Sequence, residues 1–174
     1  PVLNSENLVG MYFHNPSTGW AASFGGVYKT TNSGTNWILS IVPDQQFIKP
    51  FFINENTGWI TSYRPNSVFK TTNGGVNWFN LTSISVSLAW GINFFNENTG
   101  FVGDAFGGIY KTTNGGENWN TYNTGTYNWI ADFYFFDENT GYAAGELHSI
   151  FKTTNAGANW NQIYTRDYGS FYDI

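Results

Sequence analysis

The chain has 174 residues, a length that suits one domain with a core of its own. Only 11% of the residues are charged, 20% are aromatic and the net charge is −5. This acidic balance excludes nucleic-acid binding, which needs a basic stripe to contact phosphates. Cysteine is absent, which excludes disulfides and thiolate metal sites, and no apolar run approaches the roughly 18 residues of a membrane span.

Two short phrases repeat along the chain. The first, Thr-Thr-Asn-x-Gly-x-Asn-Trp, is called the octet here; it occupies 30–37, 71–78, 112–119 and 153–160, so its tryptophans recur every 41 residues. The second, an Asn or Asp followed by x-x-Thr-Gly-aromatic, precedes each octet at 15–20, 54–59, 96–101 and 137–142. A phenylalanine stands six residues before each of its glycines. A period of about 40–45 residues with four short strands is the signature of a propeller blade.

The turns predict four strands per repeat, named A to D in chain order. Strand A ends near the phenylalanine, as at 9–13 and 129–136, and strand B starts at the Thr-Gly glycine, as at 58–62 and 100–103. Strand C directly precedes the octet, as at 27–30 and 109–112, and strand D starts at the octet tryptophan. The Thr-Gly glycine is expected to supply a positive φ in the A–B turn. Apolar residues occupy both the odd and the even positions of strand A, which predicts that neighbouring blades cover both faces of the blade sheet.

These elements predict an all-β fold, a β-propeller of four-stranded antiparallel blades with four full blades in this chain. Residues 1–174 are interpreted as one propeller segment, with blades at approximately 8–41, 47–81, 89–122 and 129–164. Partial blades are expected at both ends, because 1–3 align with the end of a strand D and 172–174 with the start of a strand A. Because both ends fall within a blade and four-bladed propellers are uncommon, we expect a piece of a larger ring of seven or eight blades, completed by other blades of the same polypeptide or by a second copy.

The octet resembles the Asp-box, or BNR repeat, whose pattern is Ser/Thr-x-Asp-x-Gly-x-x-Trp. Asn stands at the Asp position of every octet, and its side chain is able to form the same turn. The glycine is expected to take a strained backbone conformation and the tryptophan to seal a blade seam. The matching residues, all interpreted as structural, are Thr30, Asn32, Gly34, Trp37, Thr71, Asn73, Gly75, Trp78, Thr112, Asn114, Gly116, Trp119, Thr153, Asn155, Gly157 and Trp160.

The octet belongs to a longer phrase, in which an aromatic residue and Lys precede it and a strand that begins Thr-Gly-aromatic lies upstream. This longer phrase is similar to one propeller subfamily, the photosystem II assembly and stability factors and their exported, Bacteroidetes-type bacterial relatives. The resemblance implies a non-enzymatic, protein-binding scaffold of a secreted or cell-surface protein. The photosynthetic members carry an arginine-rich surface, so the acidic chain argues against photosystem assembly as its task. The lysines recur with the blade and are interpreted as structural: Lys29, Lys70, Lys111 and Lys152.

Binding is expected on the rim formed by the B–C and D–A loops, called the variable rim here. These loops differ in every blade, whereas the A–B turns and octets hardly vary, and variable loops on a rigid scaffold commonly carry function. Asp132 and Lys49 share one strand-A position and are expected to line the channel. A solvated loop or a blade seam is the alternative interpretation of every candidate. The candidate binding residues are Arg64, Trp90, Asp104, Phe106, Tyr127, Trp129, Asp132, Glu146, His148 and Arg166, with Asp167 and Tyr168 in the last loop.

Two enzyme classes share the Asp-box. Sialidases need an arginine cluster, which the only two arginines, Arg64 and Arg166, cannot build. Xyloglucan-cleaving hydrolases use two carboxylates across a cleft, and Asp104 and Glu146 lie in equivalent loops of adjacent blades. The two histidines are isolated in the sequence, so neither a metal site nor a cofactor is expected. We therefore predict no catalytic residue in this chain and keep, as an alternative, part of a glycoside hydrolase with catalytic residues elsewhere.

Two binding hypotheses follow for the variable rim. In the first, the rim binds a protein partner, as the resemblance implies. In the second, it binds glycans by stacking sugar faces on exposed aromatic side chains such as Trp90, Tyr127 or Trp129.

Overall fold

The computed structural model describes residues 7–40 and 46–164. Within these ranges the chain forms strands and turns and no helix, and therefore no helix able to cross a membrane. The chain divides into two compact units, residues 1–85 and 86–174. Each unit contains two four-stranded antiparallel sheets. The predicted all-β fold of four-stranded propeller blades is confirmed.

Unit 1 holds blades 1 and 2, whose strands follow one another across each sheet in chain order. Blade 1 consists of β1 (Leu8–Phe13), β2 (Gly19–Ser23), β3 (Gly26–Thr30) and β4 (Ile38–Ser40). Blade 2 consists of β5 (Gln46–Phe52), β6 (Gly58–Arg64), β7 (Ser67–Thr71) and β8 (Phe79–Asn80). Buried Trp20 of blade 1 stacks on buried Phe52 of blade 2 at 3.5 Å between ring centroids, and Trp78 meets Phe52 edge-on at 5.9 Å.

Unit 2 holds blades 3 and 4 with the same strand order. Blade 3 consists of β9 (Ala89–Phe94), β10 (Gly100–Asp104), β11 (Gly108–Thr112) and β12 (Asn120–Asn123). Blade 4 consists of β13 (Ile130–Phe135), β14 (Gly141–Gly145), β15 (Ile150–Thr153) and β16 (Asn161–Tyr164). Its core repeats that of unit 1, because Phe101 of blade 3 stacks on Phe135 of blade 4 at 4.8 Å and Trp160 meets Phe135 edge-on at 5.9 Å.

The Thr-Gly glycines serve a different purpose from the one expected. None of them has a positive φ; each is the cross-strand partner of the phenylalanine six residues earlier, as Gly58 is of Phe52. The phenylalanine ring lies over the glycine, and a Cβ there would overlap the ring atoms. The invariant Phe and Gly are therefore one packing device, in which the missing side chain makes room for the ring.

Two further expectations differ from the structure. Strand D begins one residue after the octet tryptophan in every blade, because the tryptophan still belongs to the turn; Trp119 Nε1, for example, donates a hydrogen bond to the Gly116 carbonyl at 3.1 Å. Strand A of blade 4 is not covered on both faces: Phe133 is buried, but Tyr134 is 48% exposed.

Candidate functional site

The octets form one hydrogen-bond network that repeats in all four blades. The hydroxyl of the first threonine, for example Thr112, accepts from the amides of Asn114 (3.3 Å) and Gly116 (2.9 Å) and donates to Asn114 Oδ1 (3.0 Å). That Oδ1 also accepts from the Asn118 amide at 2.9 Å. Only the oxygen of the asparagine side chain takes part in these bonds, so an amide serves as well as a carboxylate. Equivalent bonds occur in the other octets.

The A–B turns lie against the octets. The Asx side chain of each turn accepts two backbone amides; Asn54 Oδ1, for example, accepts from Asn56 at 2.9 Å and from Thr57 at 2.7 Å. The Asn56 carbonyl then accepts from the Gly74 amide of the octet in the same blade at 2.7 Å, and the other three blades repeat this bond. The glycine of each octet has a positive φ, as expected. The A–B turns and octets are therefore tied to each other by internal hydrogen bonds.

Each repeated lysine lies over an aromatic ring of its own blade. Each ammonium lies 5.1 to 5.7 Å from the centroid of the first aromatic ring of strand B. In unit 2, Lys111 also donates to the Ala156 carbonyl of the next blade at 2.6 Å. In unit 1, the equivalent Gly74 carbonyl accepts instead from Trp20 Nε1 at 3.0 Å. Burial lowers the pKa of the equivalent Lys29, and the Glu55 carboxylate opposes that shift.

A cleft of about 630 Å³ opens at the octet end of unit 1. The sequence pattern favours binding on the variable rim and does not predict this cleft. Its walls include Lys29, Leu39 and Val76. In unit 2 the position of Ser40 is held by Tyr122, whose hydroxyl donates to the Trp160 carbonyl at 2.8 Å. The sequence signal for the cleft is thus the small Ser40 where blade 3 has tyrosine.

Replacing Ser40 with tyrosine is expected to occupy part of this cleft but removes the hydrogen bond from the Ser40 hydroxyl to the Gly75 carbonyl. Since filling a cavity usually gains about 0.5–2 kcal/mol and one hydrogen bond contributes about 1 kcal/mol, we expect a rise in stability of up to about 1 kcal/mol. The reciprocal Tyr122→Ser is expected to lower stability, because it opens the matching space in unit 2 and removes a hydrogen bond. Urea denaturation of both variants measures the effects. If Ser40→Tyr destabilised the protein, the surroundings of Ser40 in unit 1 and of Tyr122 in unit 2 would not be equivalent.

The variable rim of unit 2 is held rigidly by hydrogen bonds. Thr124, in the D–A loop between β12 and β13, donates its amide (3.1 Å) and hydroxyl (2.9 Å) to the Gly107 carbonyl of the blade 3 B–C turn. At the other end of the loop, Asn128 Nδ2 donates to Ser149 Oγ at 2.8 Å, in the blade 4 B–C turn. The Glu146 amide donates to the Trp129 carbonyl at 3.0 Å. One loop is therefore pinned to both blades of the unit.

Aromatic side chains stand on this pinned rim. Tyr127, in the middle of the D–A loop, is 85% exposed, and Phe106 in the adjacent B–C turn is 52% exposed. Trp129 and Trp90 are half-buried and lie 4.9 Å apart between ring centroids, with an angle of 38°. The structure thus brings the two tryptophans together as a pair, and Tyr127 is the most exposed of the large hydrophobic side chains in the described residues.

Asp104 is committed to its own blade. It is 3% exposed; Oδ1 accepts from the amides of Phe106 and Gly108 at 2.9 and 2.8 Å, and Oδ2 accepts from the Tyr110 hydroxyl at 2.8 Å. Burial, and then the Asp104 carboxylate, raise the pKa of Tyr110 well above its ordinary range, so this hydroxyl stays a donor. Oδ1 therefore holds the B–C turn in place, and Oδ2 ties β10 to Tyr110 of β11.

The other candidates are spread over both units. Arg64 is exposed at the end of β6, 5.6 Å from the Tyr63 ring centroid, while Glu146 and His148 are half-buried in the blade 4 B–C turn. Asp132 is buried in β13, and Lys49 is half-buried in β5. Arg166, Asp167 and Tyr168 lie outside the described residues. Within the described ranges no three His, Cys, Asp or Glu side chains are grouped to hold a metal ion.

The blades that carry glycine at the Asp132 and Lys49 position do so for a steric reason. A Cβ on Gly91 would lie 2.9 Å from the Ile130 carbonyl oxygen of the next blade. A Cβ on Gly10 would overlap the carbonyl oxygen of Ile48, also in the next blade. In blades 1 and 3, therefore, the following strand A comes too close for a side chain.

Comparison with known proteins supports the fold alone. No protein family and no curated protein matches the chain, so its resemblance to the Asp-box stays a prediction. Among solved structures, YCF48 bound to a D1 peptide is similar with a TM-score of 0.59 and 15% identity, over 91% of this chain and 82% of that one. The GH74 enzyme of Niastella koreensis is similar with a TM-score of 0.69 and 20% identity, over 97% of this chain. Virginiamycin B lyase from Staphylococcus aureus has a TM-score of 0.74 and 12% identity, over 89% of this chain.

These similarities define the chain as a β-propeller by fold and leave its activity open, because one fold hosts many functions. The chain spans only 25% of the GH74 enzyme and 54% of the lyase.

Proposed function

We propose that this chain is a non-enzymatic interaction module that binds a polypeptide through the variable rim of blades 3 and 4. The observation that carries the proposal is Tyr127, 85% exposed in the middle of a loop pinned to both blades by hydrogen bonds. A tyrosine side chain supplies a large amphipathic contact area and loses little conformational entropy on binding. A loop that is already ordered avoids most of the ordering cost of association.

Two observations support binding over catalysis. Asp104, one of the two carboxylates suggested for a glycosidase pair, has both oxygens in hydrogen bonds within blade 3. The octets, the most repeated feature, are likewise occupied by internal bonds. The similarity to YCF48, whose structure holds a D1 peptide, supports a polypeptide ligand at the level of fold analogy. An exported or cell-surface location belongs to the same proposal and rests on the low-charge, Asn-, Thr- and aromatic-rich composition.

A second candidate function is glycan binding. The exposed Tyr127 and the half-buried Trp129 offer ring faces of the kind on which sugars stack. The similarity to GH74 enzymes keeps the related alternative, part of a glycoside hydrolase whose catalytic residues lie elsewhere, compatible with this chain.

Replacing Tyr127 with alanine is expected to weaken peptide binding at least about tenfold, as for a central aromatic anchor. Peptides are first selected from a random display library on the immobilised 174-residue chain, and a glycan array is probed in parallel. The affinity of a selected synthetic peptide is then measured by fluorescence polarisation for the wild type and the variant.

Phe79→Ala is the matched control, because Phe79 is 60% exposed but lies in β8 of blade 2. It is expected to change the affinity less than about twofold. Peptides that bind Tyr127→Ala as tightly as the wild type would contradict the proposal. Array glycans that lose binding in Tyr127→Ala, with no peptide selected, would establish the glycan alternative instead.

A further inference from the structure

The contact between blades 3 and 4 has two different halves. The donor half, on blade 3, comprises Phe95, Phe101 and Lys111; the acceptor half, on blade 4, comprises Phe135 and Trp160 together with the Ala156 carbonyl. The rings of Phe95 and Phe101 each lie 4.8 Å from Phe135, and Lys111 donates to the carbonyl. Each half also has a fixed internal geometry: Phe95 meets Phe101 edge-on at 6.1 Å, and Phe135 meets Trp160 edge-on at 5.9 Å.

Unit 1 repeats this contact with different side chains. Trp20 of blade 1 stacks on Phe52 of blade 2 and donates to the Gly74 carbonyl, while Lys29 lies over the Trp20 ring. The acceptor half again has an edge-on pair, Phe52 and Trp78 at 5.9 Å. The same mode of blade packing is therefore present twice in one chain and is tolerant of the aromatic residue used.

Blade 4 presents a donor half that the described residues leave exposed. Phe136 meets Tyr142 edge-on at 6.0 Å, as Phe95 meets Phe101, and Lys152 lies 5.6 Å from the Tyr142 ring centroid. Phe136 is 67% exposed, whereas the equivalent Phe95 is half-buried. Ile163, at the position of Tyr122, is 54% exposed. Blade 4 thus has the side chains for a further blade contact, with their rings already in place.

Blade 1 presents the complementary acceptor half. Phe13 meets Trp37 edge-on at 6.0 Å and 87°, which matches the pairs in blades 2 and 4. Phe13 is 39% exposed, whereas the equivalent Phe52 is fully buried. Met11, which alternates to the same side of β1, is 61% exposed. Ser33 occupies the octet position of Gly74 and Ala156, whose carbonyls accept a hydrogen bond from the preceding blade.

We propose that blade 4 of one chain packs against blade 1 of a second copy in this same mode. Tyr142 then stacks on Phe13 of the partner copy, and Lys152 donates to the Ser33 carbonyl. Exposed apolar surface of this kind marks an interaction site, and the two contacts inside the chain show which surface covers it. Because the two halves differ, the contact is heterologous, or head-to-tail. It is independent of the variable rim and of what that rim binds.

The test blocks each half separately in the 174-residue chain. Phe136→Asp places a charge in the donor half, and Phe13→Asp places one in the acceptor half. Met11→Asp is the second acceptor variant, because Phe13 also covers Gly19 within blade 1. Phe79→Asp, at an exposed aromatic residue in neither half, is the control. Sedimentation equilibrium over about 1–100 μM, the range of weak to moderate protein association, measures the mass, and circular dichroism checks the fold.

The wild type and the control are expected to gain mass with concentration, whereas each blocked variant alone stays at the 19.6 kDa of one chain. An equimolar mixture of a donor-blocked and an acceptor-blocked variant is expected to form a species of twice that mass, since each partner keeps one intact half. A wild type that stays monomeric would overturn the proposal, as would folded blocked variants that associate like the wild type or a mixture that stays monomeric.

Discussion

Replacing Gly58 with alanine is expected to lower the free energy of unfolding by about 3 kcal/mol, at the upper end of the usual cost of overpacking. The added methyl group would overlap the ring of Phe52. That ring has no room to move, because Trp20 stacks on it at 3.5 Å and Phe52 is fully buried. Thermal unfolding followed by circular dichroism measures the effect, with an expected fall in Tm of roughly 6–12 °C for a chain of this size.

Gly125→Ala separates this steric effect from backbone strain. Gly125 has a φ of 78° and nothing near its missing Cβ, so alanine there is expected to cost about 1 kcal/mol through backbone strain alone. If Gly58→Ala cost no more than Gly125→Ala, the packing of phenylalanine over glycine would not be the reason for the repeated pair.

Replacing Thr112 with valine is expected to cost about 3 kcal/mol. Valine keeps the shape of threonine but removes the hydroxyl that accepts from the amides of Asn114 and Gly116 and donates to Asn114 Oδ1. Thr112 and Gly116 are buried, so the hydrogen bond from the Gly116 amide to the Thr112 hydroxyl would be lost away from water, which costs more than the loss of an exposed hydrogen bond. Urea denaturation of the purified chain gives the free energy of unfolding.

The neighbouring Thr113 provides a matched control, because it is exposed; Thr113→Val is expected to change stability by less than about 0.5 kcal/mol. Asn114→Asp is expected to be similarly mild, since the accepting oxygen is kept. Equal losses for Thr112→Val and Thr113→Val would show that the octet is not held by the threonine hydroxyl.

The blades could be predicted from sequence because their turns are locally determined. Every hydrogen bond of the octet network joins residues within four positions of each other, so eight residues specify the turn wherever they occur. The 41-residue repeat of that turn then implied the four-stranded blades that the structure confirms. The same reasoning placed Tyr127 on a variable loop, and the structure leaves it exposed.

Features that depend on residues from different strands or blades could not be read from the sequence. From the sequence alone, the Thr-Gly glycine is interpreted as a turn residue. In the structure, the phenylalanine ring that leaves no room for a side chain at this glycine belongs to the preceding strand. Asp104 looked like a free loop carboxylate, although the amide of Gly108 and the hydroxyl of Tyr110 occupy its oxygens.

By itself, then, the sequence determined the blade, its turns and the repeat number, since these rest on short-range hydrogen bonds and on a fixed period. Only the tertiary structure decided which side chains remain available. Trp20 donates to the Gly74 carbonyl in unit 1, whereas Lys111 donates to the equivalent Ala156 carbonyl in unit 2. Ser40 lines an open cleft in unit 1, whereas the larger Tyr122 stands at its position in unit 2. Phe136 is exposed, whereas the equivalent Phe95 is half-buried. Each outcome depends on packing between residues of neighbouring blades, 38 to 54 positions apart in the hydrogen-bonded pairs, and no local pattern encodes such contacts.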